Sequence, residues 1–116
     1  MKKFLFVGAF LGSFVIATAW AQNSVGFRIV DVADGEKRVP AAVWYPAEAK
    51  AAEYRYGGSD VKGMVAVDAE PSAKGGPYPF LIFSHGYGGG GIGNAFFAEA
   101  LAARGWIVAA PAHSDK

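Results

Sequence analysis

Apolar residues recur along this chain in three rhythms, and each predicts a different element. From Val25 to Val32 (VGFRIVDV), Val25, Phe27 and Ile29 alternate with Gly26, Arg28 and Val30, a period of two that predicts a strand with one wet face. Asp34-Gly35 is a turn signal, and Arg38 to Tyr45 (RVPAAVWY) reads as the returning strand of an antiparallel hairpin. Pro40 limits the ladder near that strand's start, and Pro46 is expected to stop it. Pro79 to Ser84 (PFLIFS) is instead a continuous apolar run, as expected of a strand buried on both faces of a parallel sheet.

The third rhythm follows a glycine-rich loop, Gly86 to Gly93. Asn94 is a natural N-cap, and Ala95 to Arg104 (AFFAEALAAR) holds strong helix formers. Phe97 and Leu101 share one stripe, while Ala98 and Ala100 are small enough for close approach. Arg104 suits the helix C-terminus, and Gly105 suits the left-handed position beyond it. Trp106 to Ala110 (WIVAA) reads as a second buried strand, ended by Pro111. Residues 47–77 carry charges, glycines and one short apolar stretch, and read as a long surface excursion with a short helix around Ala47 to Tyr54. The last forty residues thus run strand, glycine loop, helix, strand. That order predicts a right-handed parallel crossover and, with the hairpin before it, an α/β layered fold.

The N-terminus changes which residues belong to that fold. Met1-Lys2-Lys3 is basic, Phe4 to Ile16 is apolar or small throughout, and Ala19-Trp20-Ala21 offers small residues at the two cleavage positions. Residues 1–21 therefore read as a signal peptide, and residues 22–116 as an exported, periplasmic or extracellular chain. Uncleaved, the 18 uncharged residues from Phe4 to Ala21 would be near the lower limit for a membrane anchor. Cleaved, they leave no stable anchor. The absence of cysteine excludes a disulfide framework and a lipid-modified cysteine. Net charge is +1 for 11 basic and 10 acidic residues; removing Lys2 and Lys3 makes it −1. Those charges are scattered, so no nucleic-acid stripe is present. His85 and His113 lie too far apart in sequence to suggest a metal site, and no cofactor is implied.

Candidate chemistry concentrates in Phe83-Ser84-His85-Gly86-Tyr87-Gly88-Gly89. A His-Gly pair at the end of a buried strand, opening a glycine loop before a helix, suits an oxyanion hole. Such a hole needs a backbone N–H aimed at empty space where a carbonyl oxygen will turn negative. Glycines permit the turn and keep side chains out of that space. Three segments carry a wider likeness: Val43-Trp44-Tyr45-Pro46, Tyr78 to Gly89 (YPFLIFSHGYGG), and Leu101 to His113 (LAARGWIVAAPAH). In this order they resemble the N-terminal part of the dienelactone-hydrolase-like and platelet-activating-factor-acetylhydrolase-like branch of the α/β-hydrolases. The resemblance implies an α/β-hydrolase fold represented by its N-terminal hairpin and first parallel βαβ unit. It makes Tyr87 the residue whose N–H joins the oxyanion hole. His85 and Gly86 would shape that loop, Gly88 and Gly89 would supply its turn, and His113 would be structural or line the site. Ala112 departs from the pattern, because an acidic residue commonly precedes that histidine.

The family's nucleophile sits in G-x-S-x-G, and these 116 residues contain no such motif. Ser84 and His85 are strand neighbours and should point to opposite faces. The expectation is therefore the N-terminal part of a secreted serine hydrolase of esters or lactones, lacking the nucleophile, acid and base of the triad, with residues 22–116 inactive by themselves. Two rivals use other features. Gly86-x-Gly88-x-x-Gly91 and Gly88-x-Gly90-x-x-Gly93, with Asp115 some 22 to 24 residues on, imitate a dinucleotide-binding fingerprint. Alternatively, Trp44, Tyr45, Tyr54, Tyr56 and Trp106 could serve a non-catalytic binding module. Of these, Trp44 and Trp106 read as core, and Tyr54 and Tyr56 as candidates for a substrate entrance.

Overall fold

The computed structural model describes residues 22–87 and 89–112. The signal-peptide reading of residues 1–21, and the roles assigned to Gly88, His113 and Asp115, fall outside them. The alternating segments form β1 (Ser24–Asp34) and β2 (Lys37–Ala47), joined in register from Ser24↔Ala47 to Asp34↔Lys37. Their loop is Gly35-Glu36, with Gly35 at φ +59°, where glycine avoids the Cβ clash. Pro46 does not stop β2. Its carbonyl accepts from the Ser72 N–H at 2.8 Å, so its own nitrogen also faces away from β1, and the missing donor costs no ladder bond.

Residues 47–77 correct the sequence reading. No helix forms around Ala47 to Tyr54; β3 (Ala52–Arg55) and β4 (Lys62–Val67) pair antiparallel across a 3-10 turn at Tyr56–Gly58. β4 then pairs parallel to β1 through Gly26↔Ala66 and Phe27↔Val67, extending the sheet rather than wandering over it. Polar residues at alternate positions, such as Glu53, Arg55 and Lys62, hid a pleated segment with one face buried.

At the other side lie β5 (Phe80–Ile82), α1 (Ala95–Ala102) and β6 (Ile107–Pro111). β5 and β6 run parallel, from Phe80↔Ile107 to Ile82↔Ala109, and β6 joins β2 antiparallel. The single six-stranded sheet has the order β3-β4-β1-β2-β6-β5. β5 is thus an edge strand, and the expectation of burial on both faces fails: Phe80 is 59% and Ile82 64% exposed.

The core lies between the sheet and α1. Phe27, Trp44, Val65 and Val108 supply the sheet's side, joined by Tyr56 from the 3-10 turn. Phe27 sits 5.2 Å from Trp44 and 4.9 Å from Tyr56 between ring centroids, the latter edge-to-face. Edge-to-face pairs of this kind add to what burial alone provides. The helix buries Ala95, Ala98 and Ala102; of the expected Phe97–Leu101 stripe, Leu101 packs partly buried against the core while Phe97 is 43% exposed. Alanines let the helix axis approach a sheet already crowded by aromatic rings. Asn94 makes no side-chain cap bond, because a 3-10 turn at Gly91–Asn94 runs directly into α1. The C-terminus does follow the sequence: Gly105 has φ +91°, its N–H bonds the Ala102 carbonyl, and the Trp106 N–H bonds that of Leu101. This is the Schellman arrangement.

Candidate active site

β5 ends at Ile82, and the chain keeps to the sheet for one further bond, from the Phe83 N–H to the Ala109 carbonyl at 2.8 Å. Ser84 and His85 lie beyond the end of β5 and are not strand neighbours, but they part company all the same, Ser84 being exposed and His85 buried. His85 folds back on its own turn: Nδ1 lies 2.9 Å from the Gly86 carbonyl oxygen. A carbonyl can only accept, so Nδ1 carries the proton in that contact. The Gly89 N–H reaches the same carbonyl at 2.9 Å, closing the Gly86–Gly89 turn. A β-carbon on Gly89 would stand 3.0 Å from that oxygen and 3.6 Å from His85 Nδ1, so the turn's inner side tolerates glycine best.

Tyr87 stands at the outer corner of this turn, 92% exposed. Its backbone N–H bonds no group among the described residues. The loop then returns to the sheet. A β-carbon on Gly91 would meet the Ala110 methyl at 2.5 Å, so the backbone lies directly against β6. Ile92 packs onto the core cluster, and α1 starts three residues later. The arrangement leaves a donor at the carboxyl end of a parallel strand, beside the start of a helix, where open α/β sheets place their ligands.

The aromatic candidates separate cleanly. Trp44 is buried in the core and Trp106 half-buried against it, as expected. Tyr56 lines no entrance: it is wholly buried, accepting from Trp44 Nε1 at 2.9 Å and donating to Glu99 Oε1 at 2.5 Å. Tyr54 meets Tyr56 edge-to-face and Phe27 at a tilt in the same cluster. Tyr45 covers Gly26 on the other sheet face, and its hydroxyl donates to the Ala69 carbonyl at 2.6 Å while accepting from Arg28 Nε at 3.0 Å. Sequence reading missed Glu99, which gathers Tyr56 and, through Oε2, the Met64 N–H at 3.3 Å. A glutamate inside an apolar helix was the available signal.

Among the described residues no three His, Cys, Asp or Glu side chains converge. A cleft of about 830 Å³ is bounded by Lys74, Tyr78, Ala103, Arg104 and Gly105. It lies at the amino ends of β5 and β6, opposite the glycine loop. No described helix is long and apolar enough to cross a membrane.

Comparison with known proteins agrees with this architecture. A ferulic acid esterase from Streptomyces cinnamoneus is similar in structure, with a TM-score of 0.61 and 24% sequence identity over 86% of this chain. The chain spans 36% of that esterase's length. No curated protein matches it. The model of the family described as platelet-activating factor acetylhydrolase, isoform II, matches residues 47–116. That match takes in the β3–β4 hairpin, the glycine loop and the whole β5–α1–β6 unit, so the chain belongs to this family and has the fold of an α/β-hydrolase's N-terminal part.

Proposed function

We propose that this chain is the N-terminal part of an exported serine hydrolase that cleaves carboxylic esters or lactones through an acyl-enzyme. Its contribution is the oxyanion loop, with the Tyr87 N–H as one donor and His85 and Gly86 holding the turn. Nucleophile, acid and base would come from residues beyond Lys116. The observation that carries the reading is the closed Gly86–Gly89 turn at the carboxyl end of β5, with Tyr87 at its corner. Family membership supports ester hydrolysis as the reaction class. The 36% share of the esterase's length supports a longer parent.

Donor placement explains the proposed catalysis. As a nucleophile adds to the ester carbonyl, charge collects on its oxygen, and a fixed N–H stabilises that charge without reorganising. One such donor is typically worth about 3 kcal/mol, or roughly a hundredfold in rate. Sequencing the encoding DNA past Lys116 should reveal G-x-S-x-G on a strand-to-helix turn, then an acid and a histidine. The encoded protein should hydrolyse p-nitrophenyl acetate and be blocked by a serine-directed sulfonyl fluoride, whereas residues 22–116 alone should not exceed a denatured control. Continuation of the frame without the serine motif would sink the hydrolase reading. An intact mass beginning at Gln22 checks export and leader removal; a mass retaining Met1 or Lys2 contradicts them.

A further inference from the structure

Six of the eight residues from Gly86 to Gly93 are glycine. Such a loop cannot hold its own shape, because each glycine has more backbone freedom to lose than any other residue. An oxyanion donor nevertheless has to stand within about 0.5 Å of its working position. The near side of the loop is fixed by His85 and by the Gly89 bond to Gly86. Its far side must be fixed by something outside it, and the β3–β4 turn meets that need.

That turn, Tyr56–Gly58, touches the loop unit at two points. Gly57 has φ +53°, and a β-carbon there would lie 3.5 Å from Ile92 Cδ1, so the Ile92 tip reaches the turn's backbone. Tyr56 grips the helix that follows: its hydroxyl donates to Glu99 Oε1 at 2.5 Å and accepts from Trp44 Nε1 at 2.9 Å. Glu99 Oε2 takes the Met64 N–H of β4 at 3.3 Å, so the carboxylate bridges both sides of the hairpin. Gly63 allows this approach, since a β-carbon there would stand 1.7 Å from Glu99 Oε1. On the remaining side Gly91 lies against Ala110 of β6. The loop's end and the helix after it are therefore clamped between β6 and the β3–β4 turn.

We infer that Tyr56, acting through Glu99, and Gly57, acting through Ile92, are positioning residues that hold the proposed oxyanion loop in its working shape. None of them reaches the Tyr87 N–H; they act on the loop's end and on the helix that follows it. This rests on the hydrolase reading for its kinetic consequence, but not for its mechanical one.

The test uses the full-length protein and compares Tyr56→Phe with Tyr45→Phe. Each removes one buried tyrosine hydroxyl, but Tyr45 binds Arg28 and Ala69 on the other face of the sheet. Tyr56→Phe should lower kcat on p-nitrophenyl acetate about tenfold with KM within about twofold, the pattern of a contact made only in the transition state. Amide exchange at Gly89 and Gly93, whose N–H groups bond Gly86 and Gly90, should quicken about tenfold as local opening becomes easier. Tyr45→Phe should move neither by more than about twofold. If Tyr56→Phe fails to fold, Ile92→Ala removes the loop-side contact and should give the same pair of changes. Wild-type kcat and wild-type exchange in the Tyr56 variant, or equal losses in both tyrosine variants, would overturn the inference. A wild-type protein without sulfonyl-fluoride-sensitive turnover would defeat the hydrolase reading separately, and the exchange rates would still decide the clamp.

Discussion

Tyr87 is exposed, yet the part of it that matters for the proposed chemistry is its amide. Its side chain stands in solvent at the corner of a turn, and its N–H bonds none of the described residues. Tyr87→Phe should therefore leave kcat of the proposed full-length enzyme within about threefold. Tyr87→Pro, which deletes the donor, should cost on the order of a hundredfold or more. Equal kcat losses in steady-state assays of the two variants would remove the N–H from the mechanism. Tyr56 presents the opposite case, a residue whose hydroxyl is the useful part. Burial, aided by its bond to the Glu99 carboxylate and opposed by the Trp44 N–H, pushes that hydroxyl well above its ordinary 10.0. The sign follows from which state releases the proton first. Above about pH 10 the unfolded tyrosine ionises while the folded one stays protonated, so the unfolded state gains and stability falls. Below that value both forms are protonated and the difference vanishes. Urea unfolding at about pH 8 and pH 11 should show a steeper loss in wild type than in Tyr56→Phe; parallel losses would mean that Tyr56 titrates normally.

Helix α1 illustrates how an element can be predicted for partly wrong reasons. Its existence, its C-terminal Gly105 and the strands on either side were readable, because helix formers and a left-handed glycine are local signals. Its buried face was not. Periodicity named Phe97 and Leu101, whereas Phe27, Trp44 and Tyr56 already crowd the opposing surface, so the fully buried positions are Ala95, Ala98 and Ala102 and Leu101 packs only partly buried. Space on the opposing surface is set by residues far away in sequence. Ala98→Leu should therefore overpack the layer and cost about 1–3 kcal/mol in chemical denaturation. Phe97→Ala, at a half-exposed position, should cost less, and the reverse ranking would contradict the assigned face. The β3–β4 hairpin was missed for a related reason: its strands are short, and β4 is recognisable as a strand mainly by its pairing with β1. The glycine loop was legible as a candidate site because the proposed chemistry needs only backbone, but the partners assigned to support it, Glu99 and Tyr56, come from separate elements. Glu99 offered one charge in an apolar stretch. Tyr56 offered an aromatic ring that served equally well for core and entrance.

At the scale of the whole molecule, the two borders of the sheet differ. β3 at one border is polar, with Glu53 and Arg55 each in an ion pair at the surface. β5 at the other carries Phe80 and Ile82 exposed, and its outer backbone groups face away from β6. An apolar border of this kind invites pairing with another strand. Residues 22–116 expressed alone should consequently self-associate in light-scattering measurements, and Ile82→Lys should shift them toward monomer. A monomer with a cooperative melt in the unsubstituted segment would contradict that expectation.

The strand order β3-β4-β1-β2-β6-β5 also has a temporal meaning. The two middle strands are the first two among the described residues, and only Gly35 and Glu36 separate them. Every later strand is added outward from them, β4 on one flank and β6 on the other. During synthesis the hairpin can close with little loop entropy before either flank has emerged, and it then serves as the template for both. The later residues of the proposed site thus assemble on a base laid down by this earlier hairpin.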